Sequence, residues 1–571
     1  MKGNFMKALL VAVNAKYIHS NLAVHSIMAY SSYYGEHIDV AEYTINNQMD
    51  FPIRDIYERR PDVIFFSCYI WNIEYVRNIA REVKKVIPDI RVWFGGPEVS
   101  YDGVEILEKN PYLDGVMIGE GEQVFKHLME YYCDGTIGLT DIPGIMYRTE
   151  NGPILNERQE LMPMDDLVFV YDDISQYNNR IIYYESSRGC PFRCSYCMSS
   201  IDKTVRFRSL CLVKKELKYF LDNNVPQVKF IDRTFNIRED RTLEILKFIY
   251  ENDNGITNFH FEIAADLISD SELEVISKMR PGLIQLEIGV QSTNCETIRE
   301  IDRVTDFDKI KEVVKKLKKN NNVHIHLDLI AGLPKEDKSS FINSFNDVYA
   351  LRPHELQLGF LKVLKGAKMH RMADRYGIKY LDSAPYEVLC TKWLSFQDII
   401  DLKLVENMVE VYYNSGLFTN TLSVLERFFE NPYRLYEGLG RYYKDNGLLE
   451  MNHTRITRYR ILIGFIRTQT SAPYEALKEV LTYDLYLREN LKTRPDFSCP
   501  NEEYKELTRE HYRTYSKLWQ GRNFHIEPFS IDVSDFIEHD SIKKENTIIL
   551  FDYDNKHPIT KMAEITVLNE E

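Results

Sequence analysis

The chain has 571 residues, enough for three or four domains of ordinary size. Its 44% hydrophobic and 27% charged residues are typical of a globular protein and exclude wholesale disorder or a fibrous repeat. The formal net charge is −15, which argues against a broad basic surface for duplex nucleic acid, so we expect no nucleic-acid partner.

The sequence also predicts the cellular location of the protein. No uncharged apolar stretch approaches the roughly 20 residues that a membrane-spanning helix needs. The apolar run at residues 6–14 is followed by Lys16 and lacks a cleavage site, so we interpret it as a buried strand rather than a signal peptide. The nine cysteines are too unevenly spread for a secreted disulfide framework, and we predict a reducing, cytoplasmic location.

Strand and helix patterns alternate about five times in the first third of the chain. This alternation predicts an α/β domain with a doubly wound, mostly parallel (Rossmann-like) sheet. The predicted strands lie at 6–14, 37–45, 61–70, 90–96 and 113–122, and the predicted helices at 20–34, 52–59, 72–86, 103–109 and 122–132.

Ligands bind such a sheet outside the carboxyl ends of its strands, and glycines there let a ligand approach the backbone closely. Glycines can also simply end a strand, and both interpretations remain open. No G-x-G-x-x-G motif opens the first helix, so a dinucleotide site is poorly supported. The candidate ligand contacts in these loops are Ser67, Gly95, Gly96, Pro97, Glu98, Gly119, Gly121 and Glu122.

Four loop sequences, NAKYIHSNLAVHSI, SCYIWN, GGPEVS and GEGE, resemble the cobalamin-binding domain that precedes many radical S-adenosylmethionine enzymes. The resemblance implies that these loops, with the eight residues above, line a cleft for the corrinoid. The Asp-x-His-x-x-Gly motif that supplies an axial His in related domains is missing, and His19 and His25 lack its spacing. We therefore expect cobalamin without a His ligand on cobalt.

Three cysteines, Cys190, Cys194 and Cys197, follow a predicted strand within eight residues. Clustered thiolates are soft ligands for iron–sulfur clusters or zinc. A structural zinc site normally has four ligands, but no His lies between residues 190 and 211, and Cys211 is expected to be a small buried residue at a helix start. Three thiolates leave one iron of a four-iron cluster open to a substrate or cofactor.

The spacing C-x-x-x-C-x-aromatic-C, with Tyr196 at the aromatic position, resembles the signature of the radical S-adenosylmethionine superfamily. The resemblance implies a [4Fe–4S] cluster whose open iron binds the amino and carboxylate groups of S-adenosylmethionine, which is then cleaved to a 5′-deoxyadenosyl radical. It also implies contacts to S-adenosylmethionine from Asp232, Glu262, Glu287, Gln291, Gly332, Leu333 and Pro334, although the adenine-loop motif G-x-x-G-L-P matches only in its second half.

Two arginines, Arg188 and Arg193, flank the cysteines. They either stabilise an anionic cluster or are solvated or paired with carboxylates, and the sequence does not separate these alternatives. No catalytic residue can be assigned from the sequence.

Six further strand patterns between residues 181 and 364 alternate with helices, and the superfamily resemblance implies a partial TIM-type (β/α)6 barrel. The last third is predicted to be mainly helical, with helices at 386–398, 402–413, 420–430, 432–444 and 455–467 and two strands near the C-terminus. It resembles the accessory C-terminal domain of cobalamin-type radical enzymes. The predicted division is 1–150 (cobalamin-binding-like), 151–180 (linker), 181–370 (radical core) and 371–571 (accessory).

The leading hypothesis is a radical S-adenosylmethionine enzyme with cobalamin that methylates or rearranges an unactivated substrate. Its expected partners are a small-molecule or peptide substrate and an external electron donor such as flavodoxin or ferredoxin. One alternative is a tRNA methylthiotransferase. That family needs cysteine ligands for a second cluster in its N-terminal domain, and here that domain has only Cys68 and Cys133. The other alternative is a non-catalytic iron–sulfur sensor or scaffold.

Overall fold

The computed structural model describes residues 6–201, 203–469, 471–498, 504–543 and 546–568. It divides into two compact units. The first comprises Met1–Leu286, Ile298–Asp306 and Phe360–Lys392, and the second comprises Glu287–Thr297, Phe307–Gly359 and Trp393–Glu571. Among the described residues, none of the helices combines the length and the apolar character needed to cross a bilayer.

The first unit begins with a seven-stranded sheet in the order β2-β1-β3-β4-β5-β6-β7. The first five strands pair in parallel and the last two are antiparallel. The strands are β1 (Ala8–Asn14), β2 (Ile38–Thr44), β3 (Val63–Ser67), β4 (Arg91–Gly95), β5 (Gly115–Met117), β6 (Ile145–Thr149) and β7 (Gly152–Leu155). The helices are α1 (Leu22–Tyr30), α2 (Asp50–Arg59), α3 (Ile73–Val86), α4 (Gly103–Lys109) and α5 (Gly121–Met129).

Both faces of this sheet are covered, because alternate residues of the fully buried β1 face opposite sides. Leu9 and Val11 pack in the same core as Val76 of α3, whereas Leu10 packs with Phe125 of α5. The predicted doubly wound domain is confirmed. The antiparallel hairpin β6–β7 was not predicted, and it carries this sheet across the expected boundary at residue 150 to Leu155.

A second series of strands follows, with six of them in the order β15-β14-β13-β12-β11-β8. The strands, including the short antiparallel pair β9–β10, are β8 (Ile182–Tyr184), β9 (Ser187–Arg188), β10 (Arg206–Phe207), β11 (Gln227–Phe230), β12 (Asn258–Ile263), β13 (Ile284–Gln291), β14 (His324–Ala331) and β15 (Glu355–Phe360). The helices are α6 (Leu210–Asp222), α7 (Glu239–Glu251), α8 (Asp270–Ser277), α9 (Cys295–Glu300), α10 (Phe307–Lys318) and α11 (Lys338–Tyr349). This is the strand–helix alternation expected of a partial barrel.

The chain then forms α12 (Lys368–Met372), β16 (Lys379–Tyr380) and β17 (Val388–Cys390) within the first unit. The predicted helix at 386–398 is therefore wrong in its first half. Val388 belongs to a strand paired with Tyr380, and Tyr386 has a φ of 56° that a helix cannot continue. The helix begins only after Ser395, whose side chain caps it by accepting a hydrogen bond from the Asp398 amide.

The C-terminal part of the second unit is mainly helical, as predicted. Its helices are α13 (Phe396–Met408), α14 (Thr419–Leu425), α15 (Pro432–Asp445), α16 (Arg455–Thr468), α17 (Tyr474–Arg488), α18 (Lys505–Leu518) and α19 (Val533–His539). The strands β18 (Phe524–Phe529), β19 (Thr547–Lys556) and β20 (Ala563–Leu568) form an antiparallel sheet. Helix α17 was missed because it is buried on nearly all sides, so its sequence has no polar stripe.

Candidate functional site

The cysteine loop begins directly after β9. Cys190 and Cys194 are buried and Cys197 is partly exposed. The loop starts at Gly189, which has a φ of +93°. An ideal Cβ at this position would lie 2.0 Å from the Thr204 carbonyl oxygen, so a residue with a side chain does not fit here. The tight backbone approach sets the direction in which the first cysteine leaves the strand.

Three backbone hydrogen bonds hold the loop. The Ser195 amide donates to the Ile301 carbonyl oxygen at 2.8 Å, and the Met369 amide donates to the Ser195 carbonyl oxygen at 2.7 Å. The Cys197 amide donates to the Cys194 carbonyl oxygen at 3.1 Å. The thiols therefore sit on a preorganised backbone, as a metal site requires.

A guanidinium that sequence analysis missed contacts this loop. Arg303 Nη1 lies 3.8 Å from Cys194 Sγ and 3.4 Å from the Tyr196 hydroxyl. Burial raises the pKa of the Cys194 thiol, with smaller contributions from Cys197 and Cys190, while Arg303 acts in the opposite direction. The three thiols are thus close enough to interact, and soft donors beside a cation suit an anionic iron–sulfur cluster. Arg303 could not be found from the sequence, because it lies 109 residues from Cys194 with no motif around it.

The arginines next to the cysteines have other roles. Arg188 forms ion pairs with Glu122 at 2.6 Å, Glu185 at 2.9 Å and Glu120 at 3.5 Å, so it is paired with carboxylates. Burial alone would raise the pKa of Glu122, but Arg188 outweighs burial and holds it below its usual value. Arg193 is exposed to solvent.

Cys211 is also exposed, near the start of α6, so its expected burial was wrong.

Asp232 is buried against the segment that precedes the cysteines. Its carboxylate accepts hydrogen bonds from the Ser186 amide at 2.7 Å, the Ser187 amide at 2.9 Å and the Ser186 hydroxyl. Burial raises its pKa to about 6. Donors from the segment before the cysteines thus contact both oxygens, so Asp232 positions this segment, and its contact with the methionine amino group stays a prediction.

The loops at the carboxyl ends of the first sheet include part of the predicted cobalamin set. Ser67, Gly95 and Gly96 end adjacent strands, and Gly96 has a φ of +111° with an ideal Cβ only 2.6 Å from the Cys68 carbonyl oxygen. Gly119 has a φ of +84° and open space around it, and Pro97 is exposed. Gly119 thus leaves space for a ligand, whereas Gly96 lets its loop pack closely on the backbone of Cys68.

Three other members of that set point elsewhere. Glu98 is buried, accepts a hydrogen bond from the Tyr386 hydroxyl and lies 3.9 Å from the Lys365 ammonium. Glu122 pairs with Arg188 and accepts from Ser26 Oγ at 3.0 Å. An ideal Cβ on Gly121 would lie 2.8 Å from Ile27, so this glycine serves helix packing. Protein groups thus surround these three residues, and their contact with cobalamin stays a prediction.

Aromatic side chains at the same sheet edge were not selected from the sequence. Trp71 is 47% exposed and stacks on Tyr69, with ring centroids 4.3 Å apart and planes at 10°. Tyr17 is 67% exposed. Flat exposed rings suit a planar macrocycle. His19 hydrogen-bonds the Tyr183 hydroxyl at 2.6 Å and His25 hydrogen-bonds Glu42 at 2.9 Å, so both imidazoles have protein partners.

The remaining predicted contacts to S-adenosylmethionine lie on other strands. Glu262 is partly exposed on β12 in the first unit. In the second unit, Glu287 lies on β13 with its carboxylate within 4.8 Å of ligand atoms of His326 and Asp328. Gly332 follows β14 with a φ of +94°, and the side chains of Leu333 and Pro334 are buried, so this turn can offer only backbone groups.

Gln291 is the member of this set with the clearest signature of a ligand contact. It adopts an unusual φ of +71° at the end of β13. Its Oε1 is buried and has no hydrogen-bond partner among the residues that the structure describes. A buried amide oxygen without a partner is costly, and a bound ligand can supply the missing donor.

The turn after Gln291 is held by a buried carboxyl group. Ser292 Oγ donates to Glu336 Oε1 at 2.6 Å and Ser344 Oγ donates to the same oxygen at 3.0 Å. Burial raises the pKa of Glu336 to about 7. The folded state therefore retains a proton that the unfolded chain releases near pH 4.5, and this group's stabilising effect is lost as the pH rises to about 7.

We expect Glu336→Gln to flatten the pH dependence of the free energy of unfolding between pH 5 and 7. In this window, the free energy of unfolding of the wild-type protein should fall by up to about 1 kcal/mol per pH unit more than that of the variant. Urea denaturation at pH 5, 6 and 7 measures this difference. Equal slopes for the two proteins would contradict the neutral state assigned to Glu336.

The cysteines of the first domain are not arranged for a second cluster. Cys68 is fully buried in the hydrophobic core on one face of the first sheet, and burial raises the pKa of its thiol to well above the usual range. Cys133 packs against the core on the other face. The sheet separates them, so these two thiols do not lie together as ligands of one cluster, which weakens the tRNA methylthiotransferase alternative.

Comparison with known proteins agrees with this architecture. Three family models match in order: "B12 binding domain" at residues 8–129, "Radical SAM superfamily" at 184–348 and "Protein of unknown function (DUF4080)" at 374–551. The cobalamin-dependent radical SAM methyltransferase TokK of Streptomyces tokunonensis is 27% identical over 348 residues, which are 57% of this chain and 51% of TokK. The chain thus spans about half the length of this relative.

Two solved structures share the fold. OxsB, a cobalamin-dependent S-adenosylmethionine radical enzyme, was solved with aqua-cobalamin and S-adenosylmethionine; its TM-score is 0.58 at 15% identity, covering 90% of this chain and 81% of that one. The methyltransferase TsrM of Kitasatospora setae, solved with cobalamin and a [4Fe-4S] cluster, has a TM-score of 0.53 at 15% identity, covering 67% and 79%. The chain thus carries a B12-binding domain, a Radical SAM domain and a DUF4080 domain in that order.

Proposed function

We propose that this protein is a cobalamin-dependent radical S-adenosylmethionine enzyme that methylates an unactivated position of a small-molecule or peptide substrate. The observation that carries the proposal is the preorganised loop of Cys190, Cys194 and Cys197, with Arg303 beside it. The methyltransferase names of TokK and TsrM support the reaction class.

The chemistry comes from the bound groups: an iron–sulfur cluster delivers the electron that splits S-adenosylmethionine, and cobalamin carries the methyl group. The chain's own residues bind and orient them. The three cysteines would hold the cluster through their thiolates. Within the second unit, Gln291 has a buried amide oxygen whose missing donor a ligand would supply.

The cobalamin part of the proposal rests on the sheet edge. Gly119 leaves room for the corrinoid, and Tyr69 and Trp71 would give it a flat apolar wall. His19 and His25 have protein partners, in keeping with the missing Asp-x-His-x-x-Gly motif.

Anaerobic reconstitution with iron, sulfide, hydroxocobalamin and S-adenosylmethionine tests the proposal. We expect retained corrinoid after desalting, and 5′-deoxyadenosine on reduction. Formation of S-adenosylhomocysteine with a candidate substrate marks methylation, whereas 5′-deoxyadenosine alone with an altered substrate marks a rearrangement. A cluster that is stable but never consumes S-adenosylmethionine would favour the sensor or scaffold alternative.

We expect Gly96→Ala to lower cobalamin affinity at least tenfold while leaving the cluster intact. The added methyl group would meet the Cys68 carbonyl oxygen at 2.6 Å and require a strained positive φ, so the loop must move. Equilibrium binding of hydroxocobalamin by absorbance measures the effect. Gly35→Ala is the matched control, because a Cβ there meets nothing within 4 Å. Unchanged binding by Gly96→Ala would remove this loop from the cobalamin site.

A further inference from the structure

Arg303 reaches the cysteine loop from a distant part of the chain. It follows α9 by three residues, and its Nη1 lies 3.8 Å from Cys194 Sγ and 3.4 Å from the Tyr196 hydroxyl. The side chain is only partly exposed. Its guanidinium is therefore directed at a cluster ligand rather than at solvent.

The backbone around Arg303 is fixed to the same loop. The Ile301 carbonyl oxygen accepts from the Ser195 amide at 2.8 Å, and the Arg303 amide donates to the Ile298 carbonyl oxygen at 3.0 Å. Between them Asp302 adopts a φ of +53°, and its carboxylate pairs with the Lys368 ammonium at 2.6 Å. These contacts on both sides of the turn hold the Arg303 guanidinium in place.

The charge of this group bears on electron uptake. A [4Fe–4S] cluster with three thiolate ligands becomes more negative by one unit when it accepts one electron from a reductant. A nearby cation stabilises the more negative state more strongly, and partial burial limits screening by water and salt. Hydrogen bonds to the cluster sulfurs and local charge are established determinants of cluster potential.

We propose that Arg303 is a positioning residue that raises the reduction potential of the cluster through its contact with Cys194. This inference rests on the proposed function, since it requires the cluster to be present. It assigns to Arg303 the electrostatic role that the sequence alone suggested for Arg188 or Arg193.

The test uses the full-length reconstituted protein and its midpoint potential, followed by the electron paramagnetic resonance (EPR) signal during titration with a low-potential chemical reductant. We expect Arg303→Met and Arg303→Gln each to lower the ratio of reduced to oxidised cluster at least tenfold at a fixed potential, a shift of about 59 mV for a one-electron couple. Arg303→Lys, which keeps the charge, should restore most of the wild-type potential. Arg375→Met removes an exposed guanidinium of the same unit and should leave the potential unchanged.

A wild-type potential in either neutral variant, with its four-iron absorbance intact, would overturn the inference and leave the proposed function standing. An equal shift in Arg303→Lys and Arg303→Met would also overturn it, because retained charge would then have no effect. If Arg303→Met does not assemble a cluster, Arg303→Gln decides the outcome. A wild-type protein that takes up no four-iron cluster would overturn both proposals.

Discussion

Cys194→Ala should abolish the four-iron absorbance of the anaerobically reconstituted protein, and with it all cleavage of S-adenosylmethionine. Cys194 is the central thiol of the triplet and the one that Arg303 contacts. Removing it leaves two thiolates, too few to hold a cluster that already has one open iron. Iron and sulfide analysis with visible absorbance measures the loss.

Cys211→Ala is the matched control for this experiment. Cys211 is exposed on α6 and is the next cysteine along the chain after Cys197. If the three cysteines belonged to a four-coordinate zinc site, Cys211 would be the first candidate for the fourth ligand. We expect the variant to retain iron and absorbance. Loss of the cluster in Cys211→Ala, or an intact cluster in Cys194→Ala, would show that the ligand set is assigned wrongly.

Arg188→Met should lower the free energy of unfolding by about 3–5 kcal/mol, since it removes one partner of a buried ionic network. Arg188 faces Glu122 and Glu185, and it shares Glu120 with Arg206. Burial already raises the pKa of Glu185 against the attraction of Arg188, so loss of the cation would leave buried carboxylates to repel one another. Urea denaturation of the cluster-free protein at pH 7.5 measures the effect.

Arg193→Met provides the comparison, because Arg193 is exposed five residues further along the chain. A surface substitution of this kind should change stability by less than about 0.5 kcal/mol. Similar stabilities for Arg188→Met and the wild-type protein would mean that the network contributes nothing, and the explanation given for Glu122 would fail.

Local sequence patterns were sufficient for the strand–helix order of both α/β regions. Strand β1 is a nearly continuous apolar run, and β13 alternates between buried apolar and partly exposed residues. The cysteine triplet could also be predicted, because its spacing is contained within eight consecutive residues. These features depend on neighbours along the chain.

Contacts between residues that are distant in sequence could not be predicted. Glu98, Glu122 and Asp232 were selected as ligand contacts, and the structure also pairs them with Tyr386, Arg188 and Ser186, which no local pattern indicates. A carboxylate next to a glycine looks the same in sequence whether it faces a ligand or a buried cation. Arg303 was missed for the same reason, since its contact with Cys194 exists only after folding. Polar residues are thus the least predictable part of the site.

The central claim is that three thiolates leave an iron open to S-adenosylmethionine. The most direct test compares the EPR spectrum of the reduced, reconstituted wild-type protein before and after addition of S-adenosylmethionine. A second sample receives S-adenosylmethionine that is isotopically labelled at its methionine amino nitrogen. We expect the cluster signal to change and to show coupling to that nitrogen. A signal that does not respond to S-adenosylmethionine, or a protein that holds zinc in place of iron, would contradict the account.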